Sequence, residues 1–559
     1  MTSPRLPNTA REVRDCDVLI LGAGLAGSVT AAILARQGAD VVLVDAGHHP
    51  RFAVGESMNP QLVEWLHVLA ARFDVPELEH LLDNKRVATF LGPKHGRKQS
   101  FGFVTQRRGE EPDPTEATMF IIPKLLTEAS HLYRQDSDSY YFHVAARYGT
   151  TLRQDWLATD LDFGEDHVTV TGKNGETFRA KYLIDASGFR SPLAREFQLR
   201  DDPPRQKHHA RSLFTHYVGI KPYDDVCRYP KELRPPAPFH GGTLHHLIER
   251  GWFWIIPFDN HPASKNPVCS VGLTFDERLY PRARDLTPDE EFHHYLDMYP
   301  AVKRQFEGAS RVREWVSADR IQYSSSRTVG HRWCLMSHAA GFVDPLYSRG
   351  LSNTFEVVDA LVSRILPALR DGDFSTRRFE YVEKLEQGLL HYNDEIVNMS
   401  YISFSHFRLW NAVFRLWGCF STQAGMRLIR ARQQFAATGD DRYFKELEDS
   451  PYTGLWWPDS KEFKELFDRS VEICGKYEAG ELDGDAAADL IFGMIRDCDV
   501  VITAMGWKDE QHRYFLPSTL TMMKFMWWAN LKAPHDMREL GRATLLAIVK
   551  AGLRGKKVT

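Results

Sequence analysis

Apolar and polar positions alternate in a readable order from the first hydrophobic run onward. Val18–Leu21 is a short apolar run, Gly22-Ala-Gly24-Leu-Ala-Gly27 follows at once, and Ser28–Gln37 has helical composition. Gly38 can end that helix, and Val41–Val44 is a second apolar run. This pattern predicts strand, glycine turn, helix and strand, one βαβ unit. Residues 100–130 read as loop and hairpin, Tyr140–Tyr148 as helix, and His167–Thr171 and Thr177–Ile184 as strands around Lys173-Asn-Gly-Glu. Residues 205–320 alternate apolar runs with Pro, Gly and His, which predicts a β-rich insertion. Trp333–Met336 reads as a strand, followed by a glycine-containing turn and a helix from Ser352 to Ala368. Beyond residue 375 the pattern is mainly helical and rich in Trp and Phe. The expected organisation is a polar, flexible arm over 1–14 and a nucleotide-binding domain in two parts, 15–200 and 326–374. Its parts flank a β-rich substrate segment over 201–325, and a helical domain over 375–559 ends the chain. No internal repeat or low-complexity segment interrupts this α/β plan.

Composition narrows the class without changing it. The 559 residues allow roughly three to four domain-sized units. Basic and acidic residues number 70 and 74, so no global excess points to nucleic acid. Seven scattered cysteines form no CxxC pair, which argues against a disulfide scaffold or zinc ribbon and fits a reducing, cytoplasmic setting. The histidine pairs lack metal-ligand spacing, so no metal is expected. The first fifteen residues hold no apolar run, so no signal peptide is expected, and no run is long enough to span a membrane.

The glycine motif carries the first chemistry. It sits between a predicted strand and helix, and Asp45 ends the next strand 21 residues after Gly24. That context makes GxGxxG a dinucleotide signature. Gly22 permits the tight turn, Gly24 lets a pyrophosphate approach the backbone, and Gly27 allows close helix–strand packing. The helix N-terminus offers N–H groups to the anion, and Asp45 can accept from a ribose hydroxyl.

Three later segments favour FAD over NAD. His49-Pro-Arg51-Phe-Ala-Val-Gly55-Glu56-Ser57, Tyr182-Leu-Ile-Asp185-Ala-Ser-Gly188 and Gly341-Phe-Val-Asp344-Pro345-Leu-Tyr-Ser348-Arg349-Gly350 occur in that order. They resemble the flavin-contacting segments of aromatic-hydroxylase-type flavoproteins. The resemblance implies a cofactor-binding set of Arg51, Gly55, Glu56, Ser57, Arg134, Asp185, Gly188, Asp344 and Pro345. It also implies a flavin- and halide-facing loop at Ser348, Arg349 and Gly350.

Gly251-Trp252-Phe-Trp254-Ile-Ile256-Pro257 then narrows the class. Two tryptophans at period two fit one face of a strand. With the flavin segments present, Trp252, Trp254, Ile256 and Pro257 resemble the WxWxIP signature of flavin-dependent halogenases of the phenolic type. HPRFAVGES (49–57), RFDVPE (72–77), TLHHLIERGWFWIIPFDNHP (243–262), DPLYSRGL (344–351) and FSHFRLWNAVFRLW (404–417) strengthen the resemblance. It implies reduced FAD delivered by a separate flavin reductase, dioxygen, and chloride or bromide oxidised to hypohalous acid. The tryptophans then wall the organic ring away from the flavin. Lys85, before Ala-Thr-Phe, resembles the lysine that relays the halogen in this family. Burial is expected to lower its pKa; a solvated surface lysine beside Arg86 is the competing reading.

The family pattern is broken at one place. Met336-Ser337-His338-Ala339-Ala340 replaces a Gly-Asp pair whose carboxylate binds the flavin in most related flavoproteins. Losing one or two charge-assisted hydrogen bonds, worth about 1.5 to 3 kcal/mol each, predicts weak FAD binding. Ser348 and Arg349 stand where tryptophan halogenases carry a glutamate, which argues against an indole. The substrate expected from the resemblance is a free, electron-rich phenol of the resorcinol or phloroglucinol type. A phenol-hydroxylating monooxygenase and a catalytically silent flavin-binding homologue remain the alternatives. The aromatics Phe404, Phe407, Trp410, Phe414 and Trp417, at helical spacing, read as core, with lining of the substrate cavity the other reading for some of them.

Overall fold

The computed structural model describes residues 13–122, 128–516 and 518–555. Of the expected arm over 1–14, residues 1–12 lie outside that set, and Val13 and Arg14 already belong to the first strand, Val13–Leu21. Its Val18–Leu21 run is apolar on both faces, and all four residues are buried. That is the demand of a central parallel strand covered on both sides. It pairs in parallel with Val41–Val44 and with Thr177–Asp185. Thr151–Arg153 and Trp333–Leu335 extend the same eight-stranded sheet in parallel on either side. The chain therefore leaves this sheet after Asp185 and returns to it at Val329, which brings the glycine loop and the 337–350 turn to one layer. Leu25–Arg36 packs against Arg134–Arg147 and against Gly350–Asp371.

A nine-stranded sheet forms the second layer. Gly251–Pro257 lies inside it, antiparallel to Thr243–Ile248 and Val268–Asp276. Strand alternation sorts its side chains onto two faces. Phe253 and Ile255 join a core with Phe292, Leu296 and Tyr299. Trp252, Trp254 and Ile256 turn to the main core. The Trp254 indole lies across Gly272, where an added Cβ would fall 2.0 Å from Cζ2, so only glycine fits opposite it. The hairpin predicted within 100–130 is Ser100–Thr105 with Ala117–Ile121, part of this sheet. Beside it, Gly96–Lys98 pairs with Ala129–His131.

The helices Glu380–Ser403, Phe407–Thr438, Lys461–Glu478, Gly484–Asp497, Thr519–Leu531 and His535–Gly555 form the helical part. Trp410, Phe414 and Trp417, spaced by four and three, lie against Phe101 and Phe103 of the sheet with ring centroids 5.0 to 6.4 Å apart. Aromatic burial of this kind supplies much of the helix–sheet adhesion. Among the described residues no helix is long and apolar enough to cross a membrane.

Candidate active site

The glycine loop is built for an anion. Gly22 adopts a φ of 101°, and an added Cβ at Gly27 would lie 1.9 Å from the Gly22 carbonyl oxygen, so strand and helix touch there. At Gly24, the residue before Leu25–Arg36, an added Cβ meets nothing within 4 Å, and the same holds at Gly188. The space over the helix N-terminus is open, as a dinucleotide pyrophosphate needs. Asp45 is more occupied than its predicted ribose role implies. Its Oδ2 accepts from the Ala23 N–H at 2.6 Å and from Arg51 Nη2 at 2.7 Å, and its Oδ1 accepts from the Gly47 N–H. Asp45 thus ties the glycine loop to Arg51. Beside it, Arg51 Nε and His49 Nδ1 are buried without a partner. Orphaned polar atoms at this place fit the polar part of a dinucleotide.

Three expected cofactor contacts are turned inward instead. Asp185 is buried and accepts from the Ser187 N–H, the Ser187 and Ser191 hydroxyls and the Leu193 N–H. It organises the turn after its strand, and burial pushes its carboxyl up. Arg134 pairs with Asp138 through two nitrogens and donates from Nη1 to the carbonyls of Val54 and Gly55. It clamps the turn in which Gly55 holds a φ of 92°. Glu56 is buried and directs Oε1 to His216 Nε2 at 2.8 Å.

His338 stands where the family aspartate is missing. An added Cβ at Gly350, the first residue of Gly350–Asp371, would lie 3.2 Å from its Nε2, so the ring sits at that helix N-terminus. Burial, helped by nearby Arg134, pushes the imidazole down to about 4. A neutral ring therefore replaces a carboxylate.

The 344–350 turn is held from below. Pro345 O accepts from the Ser348 N–H, and Ser348 adopts a φ of 53°. Asp344 Oδ2 accepts from the Tyr401 hydroxyl at 2.9 Å and faces His208 Nε2 at 3.3 Å. The Trp252 indole N–H donates to the same Tyr401 hydroxyl at 2.9 Å. The first tryptophan of the WxWxIP strand is thereby linked through one tyrosine to the 344–350 turn. Trp254 donates to Ser270 Oγ and stacks on Phe214, Ile256 is buried beside it, and the Pro257 carbonyl faces His131 Nδ1 at 2.9 Å. Arg349 points away from the turn, buried over the Trp456 ring at 4.0 Å, with Nε and Nη1 unpartnered.

The lysine is where sequence and structure part. Lys85 is exposed on a short helix, Asn84–Phe90, whose first turn is capped by the Asp83 carboxylate. The Ala-Thr-Phe segment after it is helix and not strand. The burial expected of the relay lysine is found at Lys98, which is 1% exposed. Lys98 Nζ donates to Ser57 Oγ at 2.5 Å and to Ser348 Oγ at 3.0 Å, and lies 3.4 Å from the centroid of Phe101. Burial pushes its ammonium well below the ordinary lysine range. His131 and His245 nearby are held down to about 3 by the same burial. Lys98 thus joins the Gly-Glu-Ser turn, the 344–350 turn and the aromatic wall. The available signal was a lysine heading the alternating strand Ser100–Thr105, too common a pattern to single out.

Beyond Phe101 lies an apolar cavity of about 80 Å³. Phe120 and Trp417, both neighbours of the Phe101 ring, form one wall. Met505, Met522 and Phe525 from the C-terminal part form another. Asn59 lines it too, and donates to the Ser348 carbonyl, so the cavity borders the Lys98 cluster. Of these residues the sequence singled out only Trp417; the others lie where no motif was legible. Among the described residues, no group of three His, Cys, Asp or Glu is arranged to hold a metal.

Residues 20–76 match the NAD(P)-binding Rossmann-like domain. The chain is 49% identical over 556 residues, the full length of both, to tetracycline 7-halogenase of Kitasatospora aureofaciens. It is 40% identical over 541 residues, 95% of each, to monodechloroaminopyrrolnitrin halogenase PrnC of Pseudomonas fluorescens. A crystal structure of halogenase PltM in complex with phloroglucinol and FAD superposes with a TM-score of 0.86 at 32% identity, covering 90% of this chain and 99% of that one.

Proposed function

Because the chain belongs to the flavin-dependent halogenases, we propose that it halogenates a free, electron-rich phenolic ring seated in the cavity beside Lys98. FAD is the cofactor and halide the co-substrate; reduced FAD, brought by a separate flavin reductase, supplies hypohalous acid from dioxygen and chloride or bromide. The open cradle at Gly24 receives the pyrophosphate, and Arg51 and His49 bring unpartnered donors or acceptors to the nucleotide. Trp252 and Trp254 fill the sheet face next to the 344–350 turn, so a substrate ring has no room there. The ring must enter from the cavity side.

Lys98 carries the reading. It is a buried amine with hydroxyl and aromatic neighbours and no carboxylate among its described hydrogen-bond partners. A carboxylate would neutralise it; hydroxyls leave an N–H free to hydrogen-bond and polarise hypohalous acid. The depressed pKa also makes its proton easy to release to a departing hydroxide. Phloroglucinol, the ring in the PltM complex, is of the substrate class proposed. The test is mass spectrometry of a phenol panel incubated with FAD, a reductase and bromide. Brominated phenols are expected, with no NADPH oxidation by the protein alone. Hydroxylated phenols, or reductase-independent NADPH oxidation, would overturn the reading.

A further inference from the structure

Glu64 is the one ionisable side chain among the described residues lining the cavity beside Lys98. It is 5% exposed, on the helix Pro60–Phe73. Its Oε2 accepts from Arg432 Nη2 at 3.2 Å, and no described donor occupies Oε1. A buried carboxylate in an apolar cavity, steadied on one oxygen and open on the other, is suited to a hydroxyl brought by the substrate. We propose that Glu64, braced by Arg432, is the base that takes the ring hydroxyl proton during halogenation. The inference rests on the halogenation reading above.

The placement supports it. Asn59 caps this helix and donates to the Ser348 carbonyl, and Ser348 Oγ accepts from Lys98. Glu64 follows five residues later, about 7 to 8 Å further along the axis at about 1.5 Å per residue. Pro60, Gln61 and Glu64 all line the cavity. A ring lying along this wall presents a hydroxyl to Glu64, and the Asn59–Ser348–Lys98 contacts connect the wall to the lysine, which is not itself among the lining residues.

Such a base speeds the reaction of a hydroxylated ring. A phenol with a pKa near 10 is about one part in a thousand ionised at neutral pH, and the neutral ring is the weaker nucleophile. As the ring carbon takes the halogen, the oxygen–halogen bond of hypohalous acid breaks. Its electron pair leaves on hydroxide, which becomes water with a proton from Lys98. The substrate O–H bond breaks to Glu64, giving a halogenated dienone. The ring C–H proton then passes to the Lys98 amine, and Glu64 returns its proton to the ring oxygen. The sum is one ring C–H and one hypohalous acid consumed, one carbon–halogen bond and one water formed.

Glu64→Gln and Glu64→Asp test this with FAD, a reductase and bromide. Phloroglucinol and its trimethyl ether serve as parallel substrates, and monochlorodimedone traps free hypobromous acid. Glu64→Gln is expected to lower kcat for phloroglucinol about 100-fold. Trapped hypobromous acid and turnover of the ether, which has no proton to give, should stay within about twofold. Glu64→Asp should recover part of the loss, and if Glu64→Gln does not fold, the selective loss that Glu64→Asp shows for the hydroxylated ring decides. Undiminished phloroglucinol turnover, or equal loss for both rings, would overturn the assignment. A wild-type protein that traps no hypobromous acid and halogenates neither ring would instead overturn the halogenation reading on which it rests.

Discussion

Tyr401→Phe removes one oxygen from a buried chain. The Trp252 N–H loses its acceptor and Asp344 loses a donor, each contact being 2.9 Å long. Trp252 is 2% exposed, so its N–H has no water to turn to. Phenylalanine keeps the ring packed on His208 and Phe404, so no cavity forms. A lost bond to a carboxylate costs about 1.5 to 3 kcal/mol and an orphaned buried donor about 1 to 3, giving about 2.5 to 6 kcal/mol in total. Trp252→Phe costs volume, but it also removes the donor that Tyr401→Phe would strand. The double variant should therefore be more stable than the summed single effects imply, by about 1 to 2 kcal/mol. Denaturant unfolding of the four proteins measures the cycle. Additivity within about 0.5 kcal/mol would refute the chain from the WxWxIP strand through Tyr401 to the 344–350 turn.

Further expectations follow from the same contacts. Gly24→Val should abolish FAD binding by titration while the protein stays folded, because its side chain enters open space and not the core. Arg134→Met should free the Gly55 turn and weaken FAD binding indirectly, read as a raised Kd with kcat at saturating FAD changed less. Lys98→Met should raise the thermal midpoint, since it removes a buried ammonium. The advantage has a defined pH dependence. Lys98 has a folded pKa below its unfolded 10.5, so between those values the unfolded chain binds the extra proton and wild-type stability rises with pH. The gain from Lys98→Met is largest below the folded pKa and should shrink as pH climbs toward 10.5; a gain that grows with pH would contradict the burial of that charge.

Local pattern made much of the fold legible. The βαβ unit announces itself because glycine spacing and apolar runs are contiguous, and the strand of Trp252 and Trp254 because period two needs only seven residues. The lysine was not legible in the same way. Lys98 is buried by Ser57 and Ser348, 41 and 250 positions away, and no window contains all three. Around Lys85, Ala-Thr-Phe has strand-like residues, but the Asp83 cap starts a helix and leaves the lysine in solvent. Asp185 reads as a ligand because acidic residues after such strands often are, whereas four donors from its own turn surround it. The cavity escaped for a further reason. Its walls come from the Pro60–Phe73 helix, the strand Ala117–Ile121, the Phe407–Thr438 helix and two C-terminal helices, and apolar helical residues carry the same signal whether they line a core or a pocket.

The most direct measurement compares bromide incorporation into phloroglucinol by wild type, Lys98→Met and Lys85→Ala, with FAD, a flavin reductase and a parallel monochlorodimedone trap. Wild type and Lys85→Ala should give brominated product at similar rates. Lys98→Met should give none above the level produced by free hypobromous acid, while still yielding trapped oxidant. Full product from Lys98→Met together with its loss from Lys85→Ala would return the relay to the exposed lysine and contradict the role of the buried one.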